Sequence, residues 1–184
     1  MASNTKLELQ ETAIRLFQEH GYDKVSVNQI CKECNVSKTT FYFHYKSKHD
    51  LIMDFYSNVH EDSKTALQSA LTSTSAIEQL WYLLIPYFKH SVEKGVAITR
   101  EVFREYLCDT TAPILPGNIY LESTMKDLIK KGISEGEIQN SDEDTLFFNL
   151  ISAINGVTLH WAISNGEFDL IAKSKQVIYD ILKA

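Results

Sequence analysis

The sequence predicts an all-α protein, with an N-terminal three-helix bundle that carries a helix-turn-helix and a larger helical domain behind it. Three observations predict this. Only 7 Gly and 3 Pro occur in 184 residues, so helix breakers are scarce. Apolar residues recur at three- and four-residue spacing along most of the chain. Ser residues stand where helix starts are expected, each able to accept a hydrogen bond from a free backbone N–H.

Taken in order, Leu9, Ala13, Leu16 and Phe17 place one apolar face on a first helix, Thr5 to His20, which Gly21 stops. Ser26-x-x-Gln29 is a capping-box pattern. It opens a second helix, Val27 to Cys34, with Val27, Ile30 and Cys31 inward. Asn35 occupies a left-handed turn position. Val36 plugs inward, Ser37 caps again, and a third helix runs Lys38 to His44. Ser47 is a third cap, opening a helix that continues to about Ser69.

After the polar break Thr72–Ser75, a helix is expected from Ala76 to Glu93, kinked or split by Pro86 and ended by Gly95. Further helices are expected at Ile98–Leu107, Asn118–Ile133, Asp142–Ser164 and Phe168–Lys183. Asp109–Gly117 reads as a loop, and Asn165-Gly166 as a tight turn. The expected domains are residues 1–50, the helix-turn-helix unit, and residues 51–184, the larger helical unit.

The net charge of −6 is unevenly placed. Residues 1–50 carry +1 and the remainder −7, and no acid falls between Lys38 and Lys48. An acidic body can orient its less acidic end towards a polyanion. No apolar run approaches the roughly 18 residues of a membrane span, and the N-terminus lacks an apolar signal core. Three Cys suggest no disulfide framework and fit a reducing cytoplasm.

The series Leu9, Ala13, Leu16-Phe17, Gly21-Tyr22, Val27, Ile30, Val36-Ser37-Lys38, Phe41 through Lys48 and Leu51 resembles the N-terminal signature of the tetracycline-repressor (TetR) family of bacterial transcription regulators. Two departures, Asn35 for a usual Gly and Cys34 for a usual Ala, keep the turn and the packing. The resemblance implies an N-terminal DNA reader and a C-terminal dimerisation and effector domain.

On a helical wheel, Phe41 and Tyr45 of the third helix face inward, whereas Thr39, Thr40 and Phe43 face outward with Tyr42 and His44 on the flanks. Thr hydroxyls can bond to base edges, and an exposed Phe can pack on a thymine methyl. Lys38 can reach a guanine edge or a phosphate. Tyr42, His44 and Lys48 suit phosphate contacts, which set register without reading sequence; the resemblance implies the same. The candidate DNA-binding set is therefore Ser26, Ser37, Lys38, Thr39, Thr40, Tyr42, Phe43, His44 and Lys48.

One helix-turn-helix reads few base pairs, so a homodimer on double-stranded DNA is expected. The last two helices are the candidate interface, through Phe147, Leu150, Ile151, Ile154, Val157 and Trp161 on one, and Val177, Ile178 and Ile181 on the other. The resemblance implies a four-helix bundle between two copies. The alternative is that these side chains form the chain's own core.

The middle helices carry aromatics with polar handles, and Tyr56, His60, Trp81, Tyr82, Phe88, Phe103, Tyr106 and Tyr120 form a candidate ligand site. The resemblance implies a small-molecule effector there. Cys31-x-x-Cys34 has metal or redox spacing, but it lies within a helix without a second pair; Cys34 is expected to be exposed. No phosphate loop, nucleophile elbow or His-Glu-x-x-His motif is present, so no enzyme, cofactor, metal or membrane partner is expected. The reading is a DNA-binding repressor acting as a homodimer on a palindromic operator. Its rival is a helical protein–protein interaction module without sequence-specific DNA binding.

Overall fold

The computed structural model describes residues 2–56, 59–69, 75–108, 119–139 and 142–183, and every regular element among them is helical. Helix α1 is Ala2–His20, followed by a 3-10 turn at Tyr22–Lys24, then α2 at Val27–Glu33 and α3 at Lys38–His44. Helices α4 (Lys48–Tyr56), α5 (Val59–Ser69), α6 (Ala76–Cys108), α7 (Ile119–Ser134), α8 (Glu143–Ile163) and α9 (Leu170–Lys183) complete the chain.

Local chemistry explains the first four helices. Gly21 takes φ 86°, ending α1 with its N–H on the Phe17 carbonyl at 2.9 Å. The Ser26 capping box is complete, with Gln29 N–H on Ser26 Oγ at 3.3 Å and Ser26 N–H on Gln29 Oε1 at 2.7 Å. Asn35 adopts φ 52°, which frees the chain to turn between α2 and α3. Ser47 Oγ accepts from Asp50 N–H at 3.0 Å at the start of α4. Each satisfied N–H would otherwise be an orphan donor.

Helix α6 is the centre of the larger domain and packs against α5, α7, α8 and α9, while α1 and α4 rest on it from the reader side. One buried apolar cluster runs continuously from Leu9 to Leu182. The break in α6 falls at Gly95, as expected, and the expected split at Pro86 is not found. The backbone stays helical through Pro86, and the non-helical residue is Gly95, at φ 80° and ψ 170°. Proline fixes φ near the helical value, whereas the dihedrals at Gly95 lie where a side chain is strained.

Helix α8 is long and apolar enough to cross a membrane by length and composition alone, a property that counting uninterrupted apolar runs missed. Its Leu146, Leu150, Ile151, Ile154, Trp161 and Ala162 are buried within this chain. The Asp109–Gly117 loop and most of the Thr72–Ser75 break lie outside the described residues.

Candidate nucleic-acid interface

Helix α3 is pinned from beneath. Phe41 is fully buried and Tyr45, at its C-terminal end, is 2% exposed. The Tyr45 hydroxyl donates to Asp54 of α4 at 3.3 Å, and Asp54 also accepts from Lys6 Nζ at 2.9 Å and Gln10 Nε2 at 3.3 Å. Burial, then the charge of Asp54, pushes the Tyr45 phenol well above its ordinary value, so it remains a donor. One carboxylate thus joins α1, the end of α3 and α4.

The opposite face is open. Phe43 is 79% and Tyr42 53% exposed, and Lys38 and Thr39 are exposed while Thr40 and His44 are half-buried. Tyr42 stands edge-on to Phe41 with ring centroids 5.4 Å apart, and His44 stands edge-on to Phe43 at 5.0 Å. The Thr40 hydroxyl is paired with Ser37 Oγ at 2.9 Å, and Ser37 Oγ also accepts from Thr40 N–H at 3.0 Å. Thr40 and Ser37 therefore work first as a helix start, leaving Thr39 and Phe43 as the most outward pair.

Lys48 is placed differently from a free clamp. Its ammonium donates to the carbonyls of Tyr22 at 2.7 Å and Val25 at 3.1 Å, and lies 4.0 Å from the Tyr22 ring centroid. An ammonium has three donors, so two are committed to the protein.

Cys34 is 8% exposed, which corrects the expectation of an exposed thiol. Its Sγ lies 3.7 Å from the Glu8 carbonyl, where α2 packs on α1. Burial pushes both the Cys31 and Cys34 thiols up, away from the reactive thiolate form.

The apolar stripe expected to meet a second copy is largely turned inward. Leu150, Ile151, Ile154, Trp161 and Ile178 are each no more than 8% exposed within the single chain, and Phe147, Val157, Val177 and Ile181 are half-buried. Helix α8 is apolar on both sides, so its composition alone cannot say which side faces its own core. The open side carries Phe148 at 67%, Leu159 at 37% and Ile163 at 67% exposure, with exposed Ser152 and Gly156 between them. The pattern at 148, 152, 156, 159 and 163 is one helical stripe.

The aromatics expected around a ligand do not converge on one described cavity. Trp81 and Phe88 are buried and stack at 6.0 Å within the core. Tyr82 is 43% exposed. Phe103 and Tyr106 are half-buried and meet edge-on at 6.2 Å. The side chains of Tyr56, His60 and Tyr120 lie outside the described residues. A cavity of about 280 Å³ instead lies between α5 and α6, lined by Asp62, Thr65, Ala66, Pro86, Lys89, His90 and Glu93. Most of these are polar and exposed, so of this set only His90, an aromatic ring with a polar handle, carries a signal in the sequence. Burial, with Lys94 adding to it, holds His90 down at about 4, so it is neutral at pH 7.

Residues 9–54 match the family described as bacterial regulatory proteins, tetR family. The chain is 30% identical over 146 residues to the "Probable HTH-type transcriptional regulator YttP" of Bacillus subtilis (strain 168), covering 76% of this chain and 68% of that protein. It is 26% identical over 153 residues to the biofilm operon icaADBC HTH-type negative transcriptional regulator IcaR of Staphylococcus aureus (strain Newman), covering 77% and 75%. The crystal structure of Thermus thermophilus FadR with lauroyl-CoA shares the fold, with TM-score 0.68, 18% identity and coverage of 96% of this chain and 93% of that one.

Proposed function

Because the chain belongs to the tetR family of bacterial regulatory proteins, we propose that it represses transcription as a homodimer on a palindromic operator and is released by a small-molecule effector. The observation that carries the reading is helix α3: buried on Phe41 and Tyr45, open on Thr39 and Phe43, and free of acids from Lys38 to Lys48. In this arrangement Thr39 and Phe43 read base edges in the major groove. Lys38, Tyr42 and His44 hold phosphates, with Lys48 adding its charge from behind the Tyr22 turn.

The dimer forms through the open stripe of α8. A helix apolar all round needs cover on both sides, and its own chain supplies one. Two copies related by a two-fold axis cross near Gly156, where an added Cβ would meet nothing within 4 Å in the protomer. That register sets Phe148 of each copy against the Ile163 end of the other. The effector domain follows from family membership. A ligand using the cavity between α5 and α6 must be small, since about 280 Å³ lies just below the usual range of ligand pockets.

The test is binding of the full-length protein to duplex fragments from beside its own gene, over a salt series. Binding whose logarithm falls linearly with the logarithm of salt, on a fragment with an inverted repeat, supports the reading. Absence of binding to every such fragment, with capture of a protein partner, favours the interaction module.

A further inference from the structure

Beside the apolar packing of α1 and α4 on α6, two polar contacts join the reader to α6 on either side of the Gly95 break. The break leaves the carbonyls ending the first arm of α6 without helical donors. Gln18 of α1 supplies them: its Nε2 donates to the Glu93 carbonyl at 3.2 Å and the Lys94 carbonyl at 2.9 Å. The carbonyl of Gly95 itself is taken by Thr99 Oγ1, at 3.1 Å. One primary amide has two N–H bonds, so the Gln18 amide can donate one to each carbonyl. Glu11, two turns earlier on the same face of α1, acts electrostatically on Lys94.

The second arm is held separately. Arg104 lies 3.5 Å from Asp23 of the 3-10 turn and 3.0 Å from Glu101 of its own helix. Glu101 is 6% exposed. The 3-10 turn is in turn fastened to α4 by Lys48, through the Tyr22 and Val25 carbonyls. Added to the apolar packing of α1 and α4 on α6, two polar contacts on two arms of a broken helix restrict the angle of the reader.

We infer that Gln18 and Arg104 are positioning residues that fix the angle of each reader against α6, and thereby the separation of half-sites that the dimer accepts. The inference rests on the proposed function. In B-form DNA, one extra base pair moves two half-sites apart by about 3.4 Å and turns one against the other by about 35°. A rigid pair of readers therefore accepts one spacing, and a pivoting pair accepts several. Neither residue touches a base, so the half-site sequence is set elsewhere.

The experiment selects binders from a random-sequence duplex pool, using full-length protein and the double variant Gln18→Glu with Arg104→Gln. Gln18→Glu keeps the size of the side chain and turns a carboxylate towards two carbonyls. The wild type should enrich one half-site sequence at one spacing. The variant should enrich the same half-site with its preference for that spacing over one base pair more or less reduced by about tenfold. An unchanged spacing preference in the variant overturns the inference, as does an altered half-site sequence. A wild type that enriches no paired half-sites overturns the repressor reading and this inference with it. If the double variant melts below the assay temperature, Gln18→Glu alone is scored by the same criterion.

Discussion

The Lys48 ammonium lies 4.0 Å from the centroid of the Tyr22 ring and donates to the Tyr22 carbonyl at 2.7 Å. This side chain of α4 closes the turn between α1 and α2, and two of its three donors are committed there. A basic residue at the edge of a helix-turn-helix can therefore be a structural tie.

Lys48→Ala should lower stability by about 1.5 to 3 kcal/mol, the range for hydrogen bonds to a charged group, and the melting temperature by a few degrees. It should also weaken binding to all duplexes alike and reduce the salt slope. Melting without DNA and binding to unrelated duplexes check both parts. A variant with wild-type melting and a loss confined to one base pair would contradict this account.

Phe43→Ala should leave melting within about 0.5 kcal/mol of wild type, because the side chain is 79% exposed. It should relax base preference at one or two positions of each half-site. A large drop in melting temperature would show that Phe43 is covered in the folded protein.

Phe148→Glu should yield a folded monomer in sedimentation experiments, because in the proposed register it buries a charge against the apolar Ile163 end of the other copy. Leu150→Ala should instead cost about 2 to 5 kcal/mol of stability, since Leu150 is fully buried in its own chain. The pair separates the two sides of one helix. A dimer that survives Phe148→Glu would place the interface elsewhere.

His90 predicts a pH dependence. Its imidazole is held at about 4 in the folded chain against an ordinary 6.5. Between those values the unfolded chain binds a proton that the folded chain does not, so stability present above pH 6.5 is lost as the pH falls towards 4. The loss attributable to this group is at most ~3 kcal/mol. Urea midpoints of wild type and His90→Gln should converge or cross over that window as acidity increases. Parallel curves would show that His90 is protonated without strain.

Much of the reader was legible because its determinants are local. Ser26 and Gln29, Ser37 and Thr40, and Ser47 and Asp50 are each three residues apart. A cap acts between neighbours, so its pattern survives in the sequence alone. The inward placing of Phe41 and Tyr45 follows from a four-residue step on a short helix. The candidate ligand aromatics were less legible: Trp81 and Phe88 are as well suited to a core as to a pocket, and here they stack within the core.

By itself the sequence determined the all-helical class, the helix-turn-helix, its caps and its outward residues, because helix periodicity and capping are short-range effects. Only the tertiary structure decided which side of α8 is covered, that the backbone of α6 stays helical through Pro86, and that Gln18 meets carbonyls 75 and 76 residues away. Those outcomes depend on which apolar surfaces find one another when the chain packs. A helix that is apolar on both sides carries no local record of that choice.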